Sequence, residues 1–381
     1  MSVPKWSSAM LSNGHGRLED HANNFTAIRI GFAFLVLGGH AIMLPMGLPI
    51  TGVFEETLDV AVQFALDGFF ILSGYMIAAS LMRSADMTSY ALSRFLRIFP
   101  GLIFAVLLLW LFVGPLFSGL GPGGYFAQGE TWVFPLLLLS QVDPQASLPG
   151  VFSAHPMQEM NGPLWTIRYE LLAYLAAGIL AAVGLFRRPS IIVALFMGTA
   201  AFSVVHMIQP WDGIGAATVD ASARFGGAFM AGAAFFALRD RIALTPLGCL
   251  LVVLFAFALK DTPAAMIAGQ LAMGYVTLWA GFLRIPGHIG VAVREVEDVS
   301  YGVYILHWPI GQIVLALHPG AGAFTLLVVM APAALLTGWL MRVWVEKPAL
   351  ALKPRLRALL NPGRIRSTGT AERINTVRQG V

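Results

Sequence analysis

The chain has 381 residues, of which 57% are hydrophobic and only 12% charged. A soluble globular domain carries about a quarter charged residues, so this composition excludes that class and predicts a polytopic membrane protein. The net charge of +4 reports membrane topology in such a chain, so nucleic acid is not expected as a partner.

The first 25 residues, MSVPKWSSAMLSNGHGRLEDHANNF, are polar and have neither an apolar core nor a small-residue cleavage site, so they do not read as a signal peptide. They are expected to form a cytoplasmic N-terminal segment. A membrane crossing needs about 20 apolar residues as a helix. On that measure, helices are predicted at about 26–46, 59–82, 97–117, 162–186, 190–208, 222–238, 243–260, 264–283, 299–317 and 322–344. The fold class is therefore all-α, a transmembrane bundle of about ten spanning helices. The short run WVFPLLLLSQV at 132–142 contains Pro135 and is expected to be re-entrant or interfacial.

With ten crossings, Arg83, Arg94 and Arg97, then Arg187 and Arg188, Arg239 and Arg241, and Arg284 and Arg294 fall on one side. The positive-inside rule makes that side cytoplasmic. Residues 26–350 would then be the membrane domain, and 351–381, with seven basic residues and one acidic, a cytoplasmic tail at the inner leaflet. Both termini are expected in the cytoplasm. The loops 118–131 and 143–161 contain no Lys or Arg and are assigned to the outside. A single Cys249 excludes an internal disulfide, and no metal site is expected: His155 and His206 lack a metal-site spacing.

Charged groups inside the bilayer are costly, on the order of 2.5–3.5 kcal/mol on insertion scales, so intramembrane ionisable residues are functional candidates. His40, Asp67, Glu170 and His307 approach one depth, in the outer half of the membrane. A second group is cationic and lies at the opposite surface. Arg94 and Arg97 share a helical face three residues apart, and Arg29 enters the first helix at similar depth. Three guanidiniums there could hold a phosphate-rich head group, or serve as topology signals and lipid anchors.

These residues carry a resemblance. Arg29 and His40 separated by ten residues, followed by Arg94 and Arg97 in SRFLRIFPGL, resemble the paired signatures of the acyltransferase 3 family, integral-membrane acyltransferases that O-acylate bacterial surface and secreted carbohydrates. DGFFILSGYMI, NGPLWTIRYELLAYL, DVSYGVYILHWPI and VEKPA resemble further segments of that family, from about residue 23 to 350. Arg168 in TIRYE is an added charge relative to the family pattern. The form resembled is the one without a fused SGNH domain.

The resemblance implies a cytoplasmic acyl-CoA donor, generally acetyl-CoA, with no metal or prosthetic group, and a hydroxyl of a surface or exported carbohydrate as acceptor. It makes Arg29, Arg94 and Arg97 the acyl-CoA-binding residues. His40 becomes a general base or a transient acyl carrier, with Asp67 or Glu170 orienting it. Eleven residues of helix rise about 16.5 Å, near the reach of a pantetheine arm. Trp165, Tyr169, His307 and Trp308 are candidates to bind the acceptor; the tryptophans could equally be packing groups and Tyr169 part of an aromatic belt. Membrane lipids and a polysaccharide synthesis or export complex are the further partners implied, with the bacterial inner membrane as location. A proton-coupled transporter or exporter of a glycan or lipid-linked substrate is the competing reading, since Asp, Glu and His chains also form proton relays.

Overall fold

The computed structural model describes residues 9–10, 23–49, 51–83 and 86–360. Most of the N-terminal segment and the tail beyond residue 360 lie outside the described residues. Helices dominate. They are α1 (Phe25–Met46), α2 (Val53–Arg83), α3 (Met87–Leu108, prolonged through a π-helical turn to Phe117), α4 (Gly121–Ala127) and α5 (Gly129–Ser140). Then come α6 (Trp165–Ala182), α7 (Pro189–Ile208), α8 (Ala216–Ala237), α9 (Pro246–Ala258) and α10 (Ala265–Phe282). The last are α11 (Gly287–Glu295), α12 (Ser300–Leu317), α13 (Ala323–Met341, prolonged through a second π-helical turn to Ala351) and α14 (Lys353–Leu360). Two short strands, Ala9–Met10 and Ala243–Leu244, pair antiparallel.

Among the described residues, eight helices are long and apolar enough to cross a membrane: α1, α2, α3, α6, α7, α10, α12 and α13. The remaining two expected spans form as helices with different limits. α8 has 22 residues but carries Asp220 and Arg224. α9 has only 13, because Thr245 caps it and Leu259 ends it just before Lys260 and Asp261. At 1.5 Å per residue it falls short of a hydrocarbon core of about 30 Å. The run at 132–142 lies within α5 and the turn that follows it, and α5 has 12 residues.

Two close approaches organise the bundle. A Cβ on Gly74 of α2 would lie 1.9 Å from the Phe229 carbonyl oxygen of α8, and one on Gly232 would lie 1.9 Å from that of Ile71. Small residues on both helices let the backbones touch, which is the ordinary way membrane helices pack tightly. Gly302 of α12 and Gly338 of α13 make a second such crossing, a Cβ on Gly302 falling 2.6 Å from Gly338 Cα.

α1 and α12 run in the same direction and are tied at both ends. Arg29 pairs with Asp298, just before α12, while His40 meets His307 near its middle. Eleven residues at about 100° each return almost to the starting azimuth, so Arg29 and His40 share one face of α1. At the arginine end, buried Asn24 anchors α1 by donating to the carbonyls of Ala280 and Leu283, 3.0 and 2.9 Å away.

At the histidine end, residues 141–161 fold back over α12. Pro309 has no N–H, which leaves the Ile305 carbonyl without its helical donor. Asn161 Nδ2 fills that vacancy at 2.8 Å. Trp308 Nε1 donates to Glu159 O at 3.0 Å and Gln312 Nε2 to Met157 O at 2.8 Å. Arg168 has a structural use here: its guanidinium donates to the carbonyls of Gln141 and Val142 at the end of α5.

Candidate active site

His307 fixes the protonation of the histidine centre. Its Nδ1 lies 2.9 Å from the Val303 carbonyl, which can only accept, so Nδ1 carries the hydrogen. In the neutral ring Nε2 is then an acceptor. His40 Nδ1 is 2.7 Å from that Nε2 and must donate to it. The remaining nitrogen of His40, Nε2, therefore holds a free lone pair. The two rings lie nearly parallel, with centroids 5.0 Å apart. Trp308 stands edge-on to His40 at 5.0 Å.

This arrangement corrects the expected carboxylate partner. Asp67 Oδ1 accepts from Arg224 Nε at 2.9 Å, and Arg224 also holds Gln63 through its side chain and, at 2.7 Å, its carbonyl. Glu170 accepts a hydrogen bond from the Tyr174 hydroxyl, one turn along α6. Neither carboxylate orients His40; a second imidazole does.

The acceptor candidates are also redistributed. His307 is fully buried and Trp308 1% exposed, so Trp308 presents no open face to a sugar. It is enclosed between His40 and Gly162, whose added Cβ would lie 2.8 Å from the indole. Trp165 and Tyr169 pack against each other and against Phe225 of α8.

At the arginine end lies a cavity of about 360 Å³ lined by Arg29, Arg94, Arg97 and Glu170. The structure thus brings together all three predicted arginines. Two of them are already neutralised. Arg29 and Arg97 share the Asp298 carboxylate at 3.0 and 2.9 Å, and Arg97 reaches Glu346 at 3.3 Å. Burial opposes ionisation of Asp298, but Arg97, Arg29 and the hydrogen bonds from Ser300 hold its carboxyl well below the usual carboxylate range. Arg94 makes no ion pair among the described residues; its guanidinium lies over the Tyr174 ring, 5.4 Å from the centroid.

The cavity extends inward past Ser73 and Glu170 to Phe69, Thr166 and Tyr304. Thr166 Oγ1 and the Tyr304 hydroxyl are 2.8 Å apart among these lining residues. Tyr304 lies one helical turn from His307, with ring centroids 6.2 Å apart. His40 does not itself line the cavity; half-buried, it contacts His307, which packs beside the cavity-lining Tyr304.

Sequence reasoning missed Asp298, Glu346, Tyr174, Arg224 and Lys353. Asp298 had a signal, since EVEDVSYG places carboxylates immediately before a predicted span. Arg224 sits alone in ASARFGGAF, inside an apolar register where a lone cation requires a partner.

The helical membrane domain thus carries a cation-lined cavity at one end and, deeper on the helix that bears Arg29, an imidazole hydrogen-bonded to a second one. The sequence model of the acyltransferase 3 family, described as an acyltransferase domain, matches residues 23–343, and the chain belongs to that family. It is therefore a multi-pass membrane acyltransferase. It is 25% identical over 315 residues to an O-acetyl transferase of Shigella phage Sf6, covering 78% of this chain and 88% of that one. It is also 30% identical over 212 residues to Nodulation protein 10 of Rhizobium leguminosarum bv. viciae, covering 53% of this chain and 54% of that relative. No solved structure matches.

Proposed function

We propose that the protein moves an acetyl group from cytoplasmic acetyl-CoA to a hydroxyl of a surface or exported carbohydrate, with His40 Nε2 as general base. The observation that carries this reading is the His40–His307–Val303 hydrogen-bond chain, which leaves Nε2 unprotonated beyond the inner end of a cavity whose mouth is cationic. Similarity to an O-acetyl transferase supports both the acetyl group and the oxygen acceptor.

In this mechanism the CoA phosphates lie at the arginine end, and the pantetheine arm occupies the cavity. The acceptor hydroxyl attacks the thioester carbonyl carbon while its proton passes to His40 Nε2. The carbon–sulfur bond breaks, and the thiolate takes that proton from the imidazolium. His307 positions the base, because the Nδ1–H to Nε2 hydrogen bond strengthens as His40 gains charge. Transfer is direct, with no acyl-enzyme. The basic residues along the chain favour both termini being cytoplasmic, and kinship with the acyltransferase 3 family favours a bacterial inner membrane.

Mass spectrometry of surface and secreted glycans from a deletion strain, complemented with wild-type or His40→Ala genes, tests the reaction. Acetyl groups lost on deletion should return only with the wild-type gene. Single-turnover labelling tests the mechanism: a labelled acyl-enzyme formed from acetyl-CoA without acceptor, and absent in His40→Ala, would overturn direct transfer.

A further inference from the structure

Four cations line the cavity, Arg29, Arg94, Arg97 and Lys353. Arg29 and Arg97 are committed to Asp298 and Glu346. Among the described residues Arg94 and Lys353 make no ion pair, which leaves them as the cations free to meet an incoming anion. Lys353 opens α14, a helix lying beyond residue 343, where the family match ends. Sequence pattern alone assigns this basic stretch to the lipid surface, yet Lys353 and Leu350 turn into the cavity wall.

α14 is held in place by a specific contact. Arg357 pairs with Asp86 at 2.5 Å, and Asp86 is also the N-cap of α3, accepting from Ser89 N at 3.2 Å. One carboxylate thus joins the start of the helix bearing Arg94 to the helix bearing Lys353. The two free cations belong to elements clamped together at the mouth of one cavity.

We infer that Lys353, presented by α14 and clamped through Arg357 to Asp86, is a donor-binding residue that acts with Arg94 on the phosphates of the acyl-CoA nucleotide. This rests on the acyl-CoA reading above and adds to it a determinant outside the family's shared segment. A lipid phosphate offers the same chemistry, so the test must separate the two.

Full-length protein in phosphatidylcholine nanodiscs, whose headgroups carry no net charge, is titrated with acetyl-CoA and with S-acetylpantetheine, which has the same thioester arm but no phosphates. Lys353→Gln should weaken acetyl-CoA about tenfold, the value of one charge-assisted hydrogen bond, and shrink the preference for acetyl-CoA over S-acetylpantetheine by a similar factor. Lys353→Arg should stay within about threefold of wild type, and Arg357→Ala should reproduce about a two- to fivefold part of the loss. Acetyl-CoA affinity unchanged in Lys353→Gln, or both donors weakened equally, would overturn this inference and leave the donor reading standing. Wild-type protein that binds no acetyl-CoA would overturn the donor reading itself, and this inference with it.

Discussion

Replacing His307 with alanine removes the acceptor that fixes the His40 tautomer, while leaving the base itself in place. In the resting state the lost contact is a 2.7 Å hydrogen bond between neutral rings. On the proposed mechanism His40 carries a positive charge in the transition state, and its Nδ1–H then makes a charge-assisted hydrogen bond worth about 1.5–3 kcal/mol. That converts to a fall in kcat of about 10- to 150-fold. Donor affinity should stay near wild type, since His307 is not among the cavity-lining residues. The assay is transfer of labelled acetyl from acetyl-CoA into glycan in membrane vesicles, with donor binding measured in parallel. His307→Gln, whose amide oxygen can accept from His40, should recover part of the loss. His40→Ala should cost about 10²- to 10⁴-fold, and the double variant should be no worse, because His307 acts only through His40. A His307→Ala enzyme within threefold of wild-type kcat, or one impaired only in donor affinity, would refute this assignment.

Three further outcomes are expected. Asp298→Asn leaves Arg29 and Arg97 sharing no carboxylate and should lower stability by about 3–5 kcal/mol at neutral pH, read as thermal unfolding in detergent. Because the folded-state pKa of Asp298 lies below its unfolded value near 3.9, its contribution is complete above about pH 4. It fades as pH falls through the folded value, so the deficit of the variant should be constant from pH 8 to 5 and shrink only in stronger acid. Arg224→Leu leaves the Asp67 carboxylate buried and unpaired, at a similar cost of about 3–5 kcal/mol; adding Asp67→Asn should restore much of it, and recovery absent in the double variant would count against the pairing. Gly74→Ala drives a methyl against the Phe229 carbonyl and should cost at least about 1–3 kcal/mol, whereas Gly198→Ala on α7, whose Cβ would meet nothing within 4 Å, should be neutral in the same melt.

Depth was legible in the sequence and azimuth was not. Counting along an apolar run gives the level of a residue to within a turn, so Arg29, Arg94 and Arg97 were expected at one surface and do line one cavity. The same count brought Asp67 level with His40, but rotation about the α2 axis is set by packing, and the Gly74–Gly232 contact belongs to a close α2–α8 pairing in which Asp67 meets Arg224. Partners distant in the chain were equally hidden: His307 lies 267 residues from His40, and Asp298 201 from Arg97. The full length of α8 and α9 depended on caps and on tolerated charges, neither of which an apolar average records. Trp308 read as a surface for a sugar because its indole sits beside a catalytic candidate; in the fold that proximity is achieved by burying it.

The sharing of Asp298 between two guanidiniums also bears on turnover. On the proposed chemistry the spent carrier leaves with the same phosphates it brought, through the mouth it entered. Four free arginine and lysine charges would hold it as tightly after the reaction as before, and its departure would limit the rate. With half of them internally neutralised by Asp298 and Glu346, the proposed site would keep charge to attract a nucleotide while easing its release. On that chemistry, the ionic latch between α1 and α12 would also shorten the stay of the product.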